Sequence, residues 1–239
     1  MRERALRKQI LEQGTDEWLE WRNKGVGASE VSSVVGAAYT DRYGNSVGPK
    51  ELWKTKSEAV KGESENKFMK WGKENEAPAR DLYESLYDWS VPPCCVIHDD
   101  YDFVRASLDG LRGDNRLVVE IKCCGITNHK KLLEVQEIED PLFRQQAFAF
   151  HFNYYRYQVL YQMLITQATL CHFVGYKHDM KESHKKLAVI ELYPEPAEQE
   201  KLLNRVIEFW GYVERREPPP PDFCTPCHQF PNDVSIPPS

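Results

Sequence analysis

Ser107-Leu-Asp-Gly-Leu-Arg-Gly-Asp-Asn-Arg-Leu-Val-Val-Glu-Ile-Lys-Cys123 decides the fold class. Tyr101–Leu108 and Leu117–Cys123 are rich in β-branched and aromatic residues, and the segment between them is rich in Gly, Asp and Asn. That pattern predicts two strands joined as a hairpin. Side chains two apart on a strand share a face, so Glu120 and Lys122 point the same way and Ile121 points into the core. Asp109, at the end of the neighbouring strand, converges on Glu120. Two carboxylates and an ammonium on one sheet surface suit metal-assisted phosphodiester hydrolysis. Carboxylate oxygens hold a hard Mg²⁺ ion, and the lysine orients a water or meets developing charge. An exposed strand with a cross-strand ion pair contains the same residues, so the choice rests on what else gathers there.

Upstream, Thr15-Asp-Glu reads as an N-cap with acids in the first turn. It opens a helix through Trp18, Leu19 and Arg22 that stops at Gly25. Ser29 reads as the N-cap of a second helix ended by Gly36, and Pro49 as the first residue of a third. A longer helical region spans about Ser64 to Tyr87, with a kink or break expected at Pro78. Downstream, Phe143–Thr166 is helical in pattern, and Thr169–Tyr176 and Lys186–Tyr193 read as strands. Glu198–Arg216 puts Leu202, Leu203, Val206, Ile207, Trp210 and Val213 on one helical stripe. Pro218–Pro221 cannot continue it. The expected fold is α/β or α+β, a mixed sheet flanked by helices. One domain covers residues 1–217, and a Pro-rich tail covers residues 218–239.

The chain has 239 residues, enough for one domain or two at most, with a core that needs no staples. An aromatic content of 12% excludes a disordered chain. No apolar run approaches the roughly 18–20 residues needed to span a bilayer, and the first residues lack a secretory apolar core. A cytoplasmic protein with no membrane partner is the expectation. Seven cysteines, an odd number with Cys94-Cys95 and Cys123-Cys124 adjacent, favour a reduced chain over a disulfide scaffold. The net charge is −6, and residues 61–140 hold 17 acidic against 11 basic side chains. A bound cation offsets such an excess and so does solvent, so charge alone does not exclude nucleic acid.

Other residues add to the hairpin. Ser29, at an expected helix N-terminus, stands where backbone N–H groups favour a phosphate, and Arg22 just upstream offers a bidentate contact. The plainer readings are an ordinary cap and an ordinary exposed arginine. Glu76, in Trp71-Gly-Lys-Glu-Asn-Glu76, is a third candidate carboxylate or a solvated helix charge. Gln158, on an apolar and aromatic helix, is a candidate for contact with a metal-bound water or a satisfied core amide.

The order of these motifs resembles the lambda exonuclease and YqaJ-type phage recombination nucleases, a branch of the PD-(D/E)xK superfamily. The resemblance runs from Glu12 to about Tyr193. It rests on Glu12-Gln-Gly-Thr-Asp-Glu-Trp18, Gly27-Ala-Ser-Glu-Val31, Trp71-Gly-Lys-Glu-Asn-Glu76, Ser107-Leu-Asp-Gly110, Glu120-Ile-Lys-Cys123 and Tyr157-Gln-Val-Leu-Tyr161. It implies a restriction-endonuclease-like core and roles at the matching positions. Asp109, Glu120 and the Ile121 carbonyl would bind the catalytic metals, two Mg²⁺ ions per site with Mn²⁺ as the alternative. Lys122 would be the catalytic lysine, Glu76 would support the second ion, and Gln158 would line the site. Arg22, Ser29 and Ser107 would recognise the 5′-phosphate of the degraded strand. Leu108 replaces the superfamily proline. The implied activity degrades the 5′-ended strand of duplex DNA from its ends, leaving 3′ tails for a single-strand annealing protein. The implied assembly is a homotrimeric ring. An endonuclease of restriction or repair type and a silent DNA-binding module are the alternatives.

Two segments have no counterpart in that resemblance, Tyr39–Gly48 and Gly125–Gln146. The second holds Lys130 and Lys131 and reads as a DNA-contacting arch. In the tail, Cys224-Thr-Pro-Cys227-His228 has a haem-attachment spacing. An iron–sulfur cluster and a zinc half-site each lack ligands there, so free tail cysteines are the favoured reading.

Overall fold

The structure is a computed structural model that describes residues 6–37, 47–58 and 67–223. Chain order begins with β1 (Arg7–Gln9), α1 (Asp16–Asn23), a 3₁₀ turn (Ala28–Glu30) running into α2 (Val31–Val34), and α3 (Pro49–Ser57). α4 (Lys67–Tyr87) leads into four strands, β2 (Cys94–Ile97), β3 (Arg105–Leu108), β4 (Gly110–Leu111) and β5 (Leu117–Cys123). Then come α5 (Ile126–Gln136), α6 (Pro141–His151), α7 (Asn153–Thr166), β6 (Leu170–Tyr176), β7 (Leu187–Leu192) and α8 (Pro196–Arg215). The expected mixed sheet flanked by helices is present. β4, β5, β6 and β7 lie in that order, with β5 and β6 parallel and the outer pairs antiparallel.

The expected hairpin is only partly formed. β3 pairs with β2 in a second, three-stranded sheet, and Gly110–Leu111 alone pairs with β5, Gly110 opposite Val119. The chain changes sheets at Asp109. A Cβ on Gly110 would lie 2.9 Å from the Val91 carbonyl oxygen and 3.1 Å from Val119 Cβ. Only glycine lets the chain turn that close to its neighbours.

Alternation along β5 sorts its side chains between two layers. Leu117, Val119 and Ile121 pack with Ala79 and Tyr83 of α4. Val118 packs on the other side with Tyr157 and Leu160 of α7. Glu120 and Lys122 therefore share a face, as the sequence predicted, and that face lies toward α7. α8 covers this layer with Leu202, Val206, Phe209 and Val213, and Trp53 of α3 donates its indole N–H to the Tyr212 carbonyl at 3.1 Å. Each fully buried apolar side chain of this kind contributes about 1.5–3 kcal/mol. Past α8, Phe223 is buried against Phe209 and Tyr212, under the Arg205 guanidinium.

Local signals placed most helix ends. Thr15 accepts from the Trp18 N–H at 3.3 Å, and Pro49 opens α3. α4 runs through Pro78 without a break. The expected start of this helix at Ser64 lies outside the described residues, as do residues 39–46 of the Tyr39–Gly48 loop, and Cys224, Cys227 and His228. Ser29 does not cap its helix. It sits inside the 3₁₀ turn, and the cap position is Gly27, whose N–H is held by Glu30 Oε2 at 2.8 Å. Gly125–Gln146 is not an open arch. α5 lies within it, burying His129, Leu132 and Val135, and Lys131 pairs with Glu134. Asp140 then caps α6 through the N–H groups of Leu142 and Phe143. Cys94, Cys95, Cys123, Cys124 and Cys171 form no disulfides. Among the described residues no helix is long and apolar enough to cross a membrane.

Candidate active site

Glu120 is 1% exposed at the middle of β5, and side chains of α7 and of β5 itself surround its carboxylate. Gln158 Nε2 donates to Glu120 Oε1 at 2.6 Å and Gln162 Nε2 donates to Oε2 at 2.6 Å. The two amides are four residues apart on α7, hence on one helical face. Lys122 forms an ion pair with Glu120 Oε1, and its ammonium lies 5.5 Å from the Tyr155 ring centroid. Gln158 was expected at the site. Gln162 was not, although its spacing of one turn from Gln158 was visible in the sequence.

Asp109 is also buried, and its Oδ2 accepts the Ile121 N–H at 2.8 Å. That bond locks the sheet-switching residue against the strand carrying Glu120. Burial pushes the Asp109 carboxyl well above the usual range, with the nearby Glu120 and Glu76 charges adding to the effect against Lys122 and the Ile121 N–H. Burial works against the Lys122 ammonium too, but Glu120 and Asp109 outweigh it and raise its pKa.

Glu76 lies beyond this pair. It forms an ion pair with Arg80 at 2.6 Å, and Arg80 Nε donates to the Asp109 carbonyl at 2.8 Å. Burial raises the Glu76 pKa, Arg80 opposes that, and Glu120 reinforces it. Glu76 is therefore tied to Asp109 through Arg80.

Asp109, Glu120, Lys122 and Gln158 border a cavity of about 120 Å³, and Arg22, Ser29 and Ser107 border the same cavity with Trp18, Trp21 and Gln13. The two candidate groups read separately from the sequence, Glu76 excepted, therefore share one space. Gly25 makes this meeting feasible. A Cβ there would lie 2.3 Å from the Phe103 carbonyl oxygen, and its absence lets Val26 donate to that oxygen at 2.7 Å beside β3. Trp18 Nε1 donates to Ser107 Oγ at 3.2 Å, and Arg22 Nη2 donates to Ser29 Oγ at 3.0 Å. The anion-binding helix N-terminus expected at Ser29 is not there. The helix has one turn, and the Glu30 carboxylate already takes the Gly27 N–H.

The residues present fit a hard divalent cation. Asp109 and Glu120 supply carboxylate oxygens, Ile121 lies against Asp109 through its N–H, and the Oε1 atoms of Gln158 and Gln162 are buried without hydrogen-bond partners. Among the described residues no three His, Cys, Asp or Glu side chains converge as a ready-made cluster. Mg²⁺ does not require one, since it keeps several waters and is held by one or two carboxylates.

Comparison with known proteins places the sequence in a family. Residues 17–169 match the family model described as YqaJ-like viral recombinase domain. No curated relative matches the sequence. Among solved structures, the fold is similar to LHK-Exo in complex with dAMP, with a TM-score of 0.66 and 23% identity over 84% of this chain and 94% of that one. An alkaline exonuclease (LHK-Exo) from Laribacter hongkongensis matches with a TM-score of 0.64 and 21% identity over the same shares of the two chains. A phage-related exonuclease from Haemophilus somnus 129PT matches with a TM-score of 0.57 and 13% identity, over 80% of this chain and 94% of that one.

Proposed function

The chain belongs to the YqaJ-like viral recombinase domain family, and from that premise we propose that it is a cytoplasmic, Mg²⁺-dependent exonuclease acting on duplex DNA ends. It removes the 5′-ended strand and leaves 3′ tails for a single-strand annealing protein in phage-type recombination. One observation carries this reading. The Asp109, Glu120 and Lys122 group and the Arg22, Ser29 and Ser107 group border a single cavity. A hydrolytic corner beside an end-recognition corner suits an enzyme that must hold a terminus while it cuts.

Asp109, Glu120 and the Ile121 carbonyl would hold Mg²⁺, with Mn²⁺ as the alternative. When bound, the ion supplies charge stabilisation at the phosphate and lowers the pKa of water. Glu76, paired with Arg80 through Oε1, would support a second ion. The chain's own residues do the rest. Gln158 and Gln162 hold the Glu120 carboxylate in one rotamer. Lys122, kept cationic by its neighbours, orients the attacking water or meets negative charge developing on the phosphate. Arg22 and the hydroxyls of Ser29 and Ser107 hold the terminal 5′-phosphate, and Trp18 fixes Ser107.

A net charge of −6 gives little long-range attraction for DNA. A homotrimeric ring holds the duplex by enclosure instead. α6 exposes Leu142, Phe143 and Phe150, an apolar face suited to subunit contact.

The decisive experiment incubates purified protein and Mg²⁺ with linear and covalently closed duplexes. Degradation of the linear form alone, abolished by EDTA, is expected. Cleavage of closed circles would replace the exonuclease with an endonuclease, and binding without hydrolysis would leave a DNA-binding module.

A further inference from the structure

Beneath Arg22 lie two further charges, Glu30 and Lys56, that the reaction does not use directly. Lys56 of α3 has a side chain that is 0% exposed, and its ammonium lies 2.9 Å from Glu30 Oε2. The same ammonium donates to the Arg22 carbonyl at 3.2 Å. Glu30 holds the Arg22 Nε at 3.2 Å through its other oxygen and the Gly27 N–H at 2.8 Å. Arg22 in turn donates to Ser29 Oγ and lies 5.2 Å from the Trp18 ring centroid. Three elements, α1, the 3₁₀ turn and α3, meet in this chain.

Glu30 creates a difficulty for a phosphate site. Alone beside Arg22, it would neutralise the guanidinium and present a carboxylate near an incoming anion. Lys56 removes the difficulty. The set Arg22, Glu30 and Lys56 carries one net positive charge, and Glu30 remains as a fixed acceptor that aims the guanidinium. A buried lysine without that partner would be expensive, so each charge needs the other.

We propose that Lys56 is a positioning residue for the terminal phosphate: it neutralises Glu30 so that Arg22 is aimed at, and charged for, a 5′-phosphorylated DNA end. This rests on the end-recognition reading of Arg22 above. In its absence Glu30 turns fully onto Arg22, and the guanidinium leaves Ser29 for the carboxylate. Charge-assisted bonds to phosphate are strong enough that losing one lowers affinity about tenfold or more.

The test measures KM and kcat on matched linear duplexes with 5′-phosphate and 5′-hydroxyl ends, for wild type, Lys56→Met, Glu30→Gln and the double variant. Lys56→Met is expected to raise KM for the phosphorylated end about tenfold, with kcat falling less than KM rises, so that the preference for phosphate shrinks. Glu30→Gln in the Lys56→Met background removes the stranded carboxylate and is expected to restore most of the preference, which a merely structural role for Lys56 would not do. Thermal melts accompany each variant. Should Lys56→Met fail to fold, the double variant decides: its retained preference supports the proposal and its loss overturns it. A folded Lys56→Met with wild-type preference also overturns it. A wild type indifferent to the 5′-phosphate would instead defeat the reading of Arg22 on which the proposal stands.

Discussion

Gln162 Nε2 lies 2.6 Å from Glu120 Oε2, the carboxylate oxygen that Gln158 does not reach. With Gln158 one turn earlier, it closes a two-amide clamp on a carboxylate that is almost wholly buried. A buried carboxylate needs such donors to replace the water it has lost and to stay in one rotamer.

Gln162→Leu keeps the volume and removes the donor. Leaving a buried acceptor unpaired costs about 1–3 kcal/mol. The melting temperature is expected to fall by roughly 2–12 °C at this chain length. An unchanged melt by calorimetry would show that Glu120 finds another donor.

Lys122→Ala is expected to fold and bind DNA while turnover drops by about 10²–10³, since the interaction lost strengthens in the transition state. Single-turnover kinetics at saturating enzyme separate this from weakened binding. A turnover number near wild type would return Lys122 to a structural partner of Glu120.

Asp109→Asn removes one of the two carboxylates proposed to hold the ion. Mn²⁺ titrated by calorimetry into the DNA-free protein is expected to bind at least tenfold more weakly than to wild type. Ca²⁺ is expected to support DNA binding with little hydrolysis, because its looser coordination misaligns water and phosphate. Equal Mn²⁺ affinity in the variant would move the ion away from Asp109.

Arg22→Ala is expected to reduce the rate on 5′-phosphorylated ends by about tenfold and to spare 5′-hydroxyl ends, given its place on the shared cavity. An equal fall on both substrates would make Arg22 a general backbone contact.

His172 gives a prediction for pH. Its ring is 2% exposed, Nδ1 lies 2.8 Å from the Tyr83 hydroxyl, and burial lowers its pKa to about 4. The unfolded chain takes up this proton near 6.5 and the folded chain only near 4. Stability from this group is therefore complete above about pH 6.5 and declines as pH falls toward 4, by roughly 3 kcal/mol. Urea melts across that range, compared with His172→Gln, check it. The variant is expected to show a flatter dependence, and identical slopes would remove His172 as the cause.

What the sequence by itself determined was whatever neighbouring residues control. Thr15 and Pro49 start helices because a cap or a fixed φ acts within one turn. Glu120 and Lys122 share a face because strand side chains alternate. Asp109 was legible at the end of the strand beside Glu120 and Gln158 as an amide on an apolar helix, whereas Ser107 entered only through the family resemblance. α5 was missed although His129, Leu132 and Val135 recur at helical spacing, since three buried positions among charged and polar ones give a weak local signal. Ser29 was misplaced as a cap because the competing partner, the Glu30 carboxylate on Gly27, is equally local and won. The tertiary structure alone decided the rest. It split the expected hairpin at Asp109, because β3 found β2, a strand not recognised in the sequence. It also brought Lys56 beneath Arg22, 34 residues away, and Gln162 onto Glu120, 42 residues away. No periodicity encodes such meetings: they follow from how α1, α3, α7 and β5 pack, and packing is set by the whole core at once.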